Sequence, residues 1–102
     1  MNSLILNGIL GDDPQITETK NGARKATFQL KTDGKDMPLY FKCVAFGVPA
    51  DSATEIFAGD EVLVTGRLTA NVVTRGITLV CHALELLHEA EPEPDPQPAV
   101  KN

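Results

Sequence analysis

The feature that most constrains this chain is an alternation of apolar and polar residues with a period of two. The alternation is clearest in residues 23–31, where Ala26, Phe28 and Leu30 alternate with lysine, threonine and glutamine. Successive side chains of a strand point to opposite faces, whereas a helix repeats every 3.6 residues. The pattern therefore predicts half-buried strands and an all-β body.

Alternating or apolar segments bounded by turn residues give the expected strands. They are residues 4–10, 23–31, 39–47, 61–69 and 77–87, with residues 15–20 as the hairpin partner of the second. Asn21-Gly22 is a strong hairpin signal because both residues tolerate positive φ. Gly8, inside an apolar strand, predicts a bend where another backbone approaches.

One short helix is expected between the third and fourth strands. Residues 52–55 read Ser-Ala-Thr-Glu, which is the sequence of a capping box, and Gly59-Asp60 would end the helix. Ile56 and Phe57 are then expected to be buried. Five strands with one helix between the third and fourth, in a sheet that hides its edges by closing, predict an OB-fold, a five-stranded Greek-key barrel.

The strand at 39–47 has an unusual outward face. Its odd positions, from Leu39 to Ala45, are all apolar and are expected to face the core. Its even positions include Tyr40, Lys42 and Phe46. Large apolar groups that are left in water often mark a binding surface. The face is therefore a candidate functional site.

The chain is acidic overall but contains one basic stretch. The formal net charge is −5, whereas residues 20–42 hold six basic residues against two acidic ones, a local charge of +4. Residues 88–102 hold four acidic residues against one lysine, and four of the seven prolines fall there. Such a segment has too little apolar surface to fold. We expect a globular domain at 1–87 and a disordered acidic tail at 88–102.

Several classes of protein are not expected. No apolar run approaches the roughly 18 residues of a membrane span, and the first residues lack a basic signal-peptide region, which predicts a cytoplasmic protein. Cys43 and Cys81 are then expected to be reduced core residues. No metal-ligand spacing, nucleophile set or phosphate-binding glycine loop is present in the sequence. We expect no metal, no cofactor and no enzymatic activity.

Five motifs, taken in order, resemble bacterial single-stranded DNA-binding proteins (SSB). They are Gly8-x-Leu10-Gly11-x-Asp13-Pro14, Asn21-Gly22, Ala26-x-Phe28-x-Leu30, Cys43-Val44-x-Phe46-Gly47 and Gly59-Asp60-x-Val62-x-Val64-x-Gly66-x-Leu68. The resemblance covers residues 3–87. It implies sequence-tolerant binding and protection of single-stranded DNA in replication, recombination or repair, together with contacts to proteins of those processes and a place on the nucleoid.

The resemblance also implies roles for particular residues. Proteins of this kind stack bases on aromatic side chains and hold phosphates with lysine and arginine. The stacking positions fall on Tyr40 and Phe46. The phosphate-binding candidates on outward faces are Lys25, Lys31, Lys42 and Arg67. Three further cations in loops, Lys20, Lys35 and Arg75, are expected to be merely solvated. Outward Ile5 and Ile9 on the first strand predict a homo-oligomer, either a dimer or a tetramer.

The chain departs from the family pattern in two ways that leave alternatives open. It has no tryptophan, and Val73 stands near one position where the family usually has one. Its tail ends Ala-Val-Lys-Asn and lacks the terminal aromatic that docks partner proteins in the family. One alternative is an accessory protein similar to primosomal replication protein N, with weak single-strand binding. The other is an OB-fold interaction module that does not bind nucleic acid.

Overall fold

Six strands and one short helix are present in a computed structural model of the chain, which describes residues 2–33, 36–70 and 73–90. The strands are β1 (Leu4–Leu10), β2 (Gln15–Glu18), β3 (Arg24–Thr32), β4 (Leu39–Phe46), β5 (Glu61–Ala70) and β6 (Ile77–His88), and the helix is α1 (Val48–Ala53). No helix among the described residues is long and apolar enough to cross a membrane.

Five of the strands close into a barrel. The order is β1-β5-β6-β4-β3, and β1 closes the ring by pairing with β3 at Ile9 and Leu10. All pairs are antiparallel except β4 with β6, which run parallel. This order confirms the predicted all-β OB-fold. β2 lies outside the ring and pairs only with β3 among the described strands.

The helix differs from the prediction in position and in its first residues. It lies between β4 and β5, not between a third and a fourth strand, because β2 is a strand of its own that the predicted count left out. It begins after Gly47, whose φ of 67° lets the chain turn away from β4. The prediction of a capping box at residues 52–55 was wrong. The Ser52 hydroxyl lies in the last turn and donates to the Val48 carbonyl, and the helix N-terminus has no side-chain cap.

The core residues of β3 and β4 follow the alternation that the sequence showed. Ala26, Phe28 and Leu30 of β3 are buried, as are Cys43 and Ala45 of β4. Both cysteines are free and buried, which confirms them as core residues.

Two residues that were expected in the core are exposed. Leu39 begins β4 and pairs with Thr32, the last residue of β3, so it lies at the open end of the barrel. Phe57 is 58% exposed because it follows the helix in a tight turn, where its amide donates to the Asp60 carboxylate, while Ile56 takes the buried position.

Gly8 and Gly66 mark close approaches between strands. A Cβ on Gly8 would lie 2.5 Å from the Lys31 carbonyl oxygen, so β1 passes against β3 only because this residue has no side chain. This confirms the predicted approach of another backbone at Gly8. A Cβ on Gly66 would collide with the Val80 carbonyl, and the register of β5 against β6 shifts between Thr65 and Gly66. The shift at Gly66 is therefore a β-bulge.

The residues after the C-terminal strand are joined to the barrel by a hydrogen bond. β6 ends at His88, and two residues later the Ala90 amide donates a 2.7 Å hydrogen bond to the buried Asp60 carboxylate. Residues 91–102, which make up most of the predicted tail, lie outside the described residues. The boundary between the domain and the tail stays a prediction.

Candidate nucleic-acid interface

The outer surface of β3 and β4 brings most of the predicted site residues together. The two strands are antiparallel, and their outward residues face each other in four pairs. From one end to the other these are Lys25 with Phe46, Thr27 with Val44, Gln29 with Lys42, and Lys31 with Tyr40. We call this surface the β3–β4 face. It is continuous because every outward position of β4 has an outward partner on β3.

The two aromatic residues lie at opposite ends of the β3–β4 face. Tyr40 is 56% exposed and Phe46 is 46% exposed, so both rings are available in the described chain. They are six residues apart on one strand, which corresponds to about 20 Å at the usual rise of a strand. Two rings at that distance can contact different bases of one extended strand.

Each aromatic residue has a lysine directly across from it. Lys31 is exposed and pairs in register with Tyr40. Lys25 pairs with Phe46, is half-buried, and holds its ammonium nitrogen 6.0 Å from the centroid of the Phe46 ring. An apolar platform and a cation therefore stand side by side at both ends of the face. This is the combination that a base and its phosphate require.

Lys42 lies between the two aromatics, next to a feature that the sequence analysis missed. It borders a cavity of about 290 Å³ whose lining also includes Asp12 and Asp13. The Asp13 carboxylate accepts a 2.7 Å hydrogen bond from the Ala58 amide, which holds the turn in place. The sequence held a signal for this neighbourhood of Lys42. The turn at Gly11-Asp12-Asp13-Pro14 leads into β2, and β2 pairs with β3, which brings the two aspartates to this side of the sheet.

Arg67 is on the same outer surface but not beside the aromatics. It is exposed on β5 and pairs with Val80 of β6, which in turn pairs with Val44 of β4. Two strand spacings separate Arg67 from β4, which is about 10 Å. Its guanidinium thus lies to one side of the line that joins Tyr40 and Phe46.

The remaining cations lie away from the β3–β4 face or have other partners. Lys20 is exposed in the turn between β2 and β3, and Arg75 is exposed before β6 with a φ of 60°. Arg24 forms an ion pair with Asp51 of α1 at 3.0 Å. Lys35 lies outside the described residues. Four of the basic residues, Lys25, Lys31, Lys42 and Arg67, therefore share one surface.

The cysteines do not contribute reactive groups. Burial raises the pKa of the Cys43 thiol to about 12, with a further contribution from Cys81, and burial raises the pKa of the Cys81 thiol to about 11. Both thiols are therefore protonated at neutral pH, and a protonated thiol is neither a nucleophile nor a metal ligand. Among the described residues, no group of three or more His, Cys, Asp or Glu side chains is placed to hold a metal ion.

Comparison with known proteins shows the family to which the chain belongs. The model of the single-strand binding protein family matches residues 1–88. The chain belongs to the single-strand binding protein family. A single-stranded DNA-binding protein of Borreliella burgdorferi is 31% identical over 77 residues, which cover 67% of this chain and 52% of that protein. The chain thus matches about half the length of that relative.

Solved structures of the family superpose on the barrel. The SSB domain of a Synechococcus protein has a TM-score of 0.75 at 25% identity, covering 83% of this chain and 94% of the domain. A deletion mutant of the Thermus aquaticus single-stranded DNA-binding protein has a TM-score of 0.80 at 27% identity, covering 91% of this chain and 44% of that one. The resemblance that the five sequence motifs indicated is confirmed.

Proposed function

We propose that this member of the single-strand binding protein family binds single-stranded DNA with little sequence preference. The main observation in favour is the paired arrangement on the β3–β4 face, where a lysine stands opposite each of two exposed aromatic rings. Bases stack on Tyr40 and Phe46, and the ammonium groups of Lys25, Lys31 and Lys42 hold the phosphates. Arg67 holds the DNA strand where it leaves the β3–β4 face.

The expected affinity follows from the number of platforms. Stacking contributes about 1–3 kcal/mol per base, so two rings contribute roughly 2–6 kcal/mol. The rest is electrostatic. Each phosphate contact lowers the slope of log K against log salt by about 0.7 for a single strand, so four cations predict a slope of about −3. Because no base edge is read by hydrogen bonds in this scheme, the binding tolerates any sequence.

A titration with labelled oligo(dT) at two salt concentrations tests the proposal. We expect submicromolar binding at low salt, a slope near the value above, and similar affinity for a mixed-sequence strand of the same length. A duplex of that length serves as the control and should bind much more weakly, because its bases are not available for stacking. Failure to bind oligo(dT) at low salt would reject the proposal and favour the interaction module without nucleic-acid binding. Weak binding without loss on Tyr40→Ala would favour the accessory protein.

The proposed assembly is a homo-oligomer. β1 pairs with β3 only at Ile9 and Leu10, so the edge of β1 that faces β3 is unpaired from Leu4 to Gly8 in the described chain. Ile5 is 67% exposed on the same strand. An unpaired edge with exposed apolar side chains favours pairing with a second copy. Light scattering at micromolar concentration should give the mass of a dimer or a tetramer, and a monomer mass would contradict the assembly.

The proposed cellular role is protection of single strands during replication, recombination or repair, in the cytoplasm and on the nucleoid. The support for this role is that the stacking and phosphate contacts proposed for the β3–β4 face suit any exposed strand. Nuclease digestion of a long single strand, with and without the protein, tests this role. We expect protection that depends on Tyr40 and Phe46.

A further inference from the structure

The second half of β6 has a backbone edge with no strand partner. β6 pairs with β5 over most of its length, but it pairs with β4 only from Thr78 to Cys81. On the side of β4, residues 82–88 therefore lack a neighbouring strand among the residues that the structure describes. The amide and carbonyl groups of such an edge are a template for another extended chain.

A groove runs along this edge. It has a volume of about 270 Å³ and is lined by Ser52, Glu55, Ile56, Leu84, Glu85 and Leu86. Its floor is apolar, because Ile56 belongs to the core and Leu84 and Leu86 pair with the buried residues Val64 and Val62. A strand laid against β6 would place every second side chain over this floor.

A second groove continues the first at the end of β6. It has a volume of about 290 Å³, shares Glu55 with the first groove, and contains Phe57 and Glu89. Phe57 is the residue that the sequence placed in the core and that the structure leaves exposed. The two grooves together offer an apolar floor that ends at an aromatic ring.

The rim of the two grooves is acidic. Glu55, Glu85 and Glu89 are exposed carboxylates, and no lysine or arginine among the described residues lines either groove. An apolar floor with a negatively charged rim is complementary to a chain in which apolar and basic residues alternate. The alternation matters because successive side chains of an added strand point to opposite faces.

The charges argue against two occupants from this chain. The sequence that follows Ala90 contains Glu91, Glu93 and Asp95, so it has the same sign as the rim. A second copy that paired through the same edge about a two-fold axis would bring Glu85 and Glu89 near their own equivalents. Like charges at that range are unfavourable. The acidic rim therefore favours a basic occupant.

We propose that residues 82–88 of β6 bind an extended, basic segment of another protein by strand addition. Backbone hydrogen bonds to β6 supply the register, apolar side chains of the segment contact Leu84, Leu86 and Phe57, and its lysines or arginines pair with the acidic rim. No residue of the β3–β4 face lines either groove. The site is thus separate from the proposed DNA-binding surface and does not depend on it.

A labelled octapeptide of alternating lysine and valine tests the proposal by fluorescence anisotropy with the full, DNA-free chain. One control peptide replaces each lysine by glutamate. A second control replaces the two central valines by proline, which keeps the charge but removes backbone donors and prevents strand pairing. Glu85→Lys alters the rim, and the matched variant Glu18→Lys reverses an exposed charge on β2, which also has a free edge among the described strands.

We expect the lysine–valine peptide to bind with an affinity that falls as salt rises. Glu85→Lys should weaken it at least tenfold, Glu18→Lys less than twofold, and the proline peptide should bind at least tenfold more weakly than its parent. Oligo(dT) affinity should be no lower in Glu85→Lys than in Glu18→Lys, which shows that the fold is intact. In NMR spectra the largest amide shifts should fall on residues 82–88.

Three results would overturn the proposal. Equal losses in the two charge variants would mean that the peptide responds only to overall charge. Binding of the proline peptide with the same affinity as the lysine–valine peptide would exclude strand addition. A change in the oligomer mass on Glu85→Lys would mean that the edge is covered by a second copy. If the unaltered chain binds the lysine–valine peptide but not oligo(dT), the proposed DNA binding is rejected and strand addition to β6 is still supported.

Discussion

Lys25 lies directly across from Phe46 on the neighbouring antiparallel strand, and its ammonium nitrogen is 6.0 Å from the centroid of the phenylalanine ring. The contact is within the range of a cation–π interaction. It holds the ammonium group over the ring that we propose as a stacking platform. The same register places Lys31 across from Tyr40 at the other end of the face.

A double-mutant cycle measures whether Lys25 and Phe46 act as one unit. Lys25→Ala and Phe46→Ala should be non-additive in their effect on the free energy of unfolding, with a coupling free energy of about 0.5–1 kcal/mol, the usual strength of an exposed cation–π contact. Lys25→Ala with Tyr40→Ala is the matched control. Those residues are separated by about 20 Å, so their effects should add within about 0.3–0.5 kcal/mol. Equal coupling in both cycles would contradict the paired arrangement.

The aromatic residues are expected to act as separate stacking sites. Tyr40→Ala and Phe46→Ala should each weaken oligo(dT) binding by about 1–3 kcal/mol and leave the salt slope unchanged, because no charge is removed. Phe57→Ala is a suitable control, since Phe57 is equally exposed but lies outside the β3–β4 face. Wild-type affinity in both aromatic variants, with folded spectra, would mean that bases do not stack on this face.

Lys42 is expected to contribute charge and no base recognition. Lys42→Ala should make the slope of log K against log salt shallower by about 0.7 for the one phosphate contact that is lost. The loss of affinity should be the same for oligo(dT) and for mixed sequences, because phosphates carry no base identity. Lys20→Ala removes an exposed lysine from the turn before β3 and should leave the slope unchanged. A sequence-dependent loss at Lys42 would indicate contact with a base.

The sequence predicted the barrel and the outward faces well, because both follow from local strand geometry. A period of two assigns each side chain of β3 and β4 to a face before any partner is known, which is why Tyr40 and Phe46 were placed outside correctly. Gly8 was also informative, since glycine within an apolar strand often marks a bend or a close approach of another backbone.

The segment after β4 was predicted less well because non-local contacts determine it. Ser52 and Glu55 match a capping box by spacing, but the chain reverses earlier, at Gly47, and the Ser52 hydroxyl bonds back to Val48. Phe57 is exposed because Asp60 holds the turn through a hydrogen bond to the Phe57 amide. The free edge of β6 has no local signal either, since it depends on where the pairing with β4 stops.

The buried cysteines predict a loss of stability at alkaline pH. The raised pKa values mean that the folded chain keeps both thiol protons from pH 9.0, the ordinary value, to about 11 for Cys81 and about 12 for Cys43. The unfolded chain releases them over that range. The contribution of the two cysteines to the free energy of unfolding should therefore be constant below pH 9 and fall above it by about 1.4 kcal/mol per pH unit for each cysteine.

Urea denaturation from pH 8 to pH 11 measures this slope. The double variant Cys43→Ala/Cys81→Ala should have a lower stability at pH 8. Its stability should decline less steeply above pH 9, because it lacks the two thiols. All other groups that titrate in this range are common to both proteins, so the difference between the two slopes reports the cysteines. Parallel declines in the two proteins would mean that the thiolates remain solvated in the folded state.

The contact between Ala90 and Asp60 predicts where the chain can be shortened without loss. The Asp60 carboxylate is buried and accepts hydrogen bonds from the Phe57 amide at 2.8 Å and from the Ala90 amide at 2.7 Å. A hydrogen bond to a charged group contributes about 1.5–3 kcal/mol, and its loss leaves part of a buried carboxylate unsatisfied. Truncation after Ala90 keeps this bond, whereas truncation after His88 removes it.

We expect the chain that ends at Ala90 to melt within about 1–2 °C of the full chain, and the chain that ends at His88 to melt several degrees lower, since 1 kcal/mol corresponds to about 4–8 °C in a domain of this size. Asp60→Asn, made in both truncated chains, is the internal control. It should destabilise the longer chain more than the shorter one, because only the longer chain still has the Ala90 amide to lose. If both truncations melt alike, the Ala90 contact adds nothing to the barrel and the domain ends with β6 at His88.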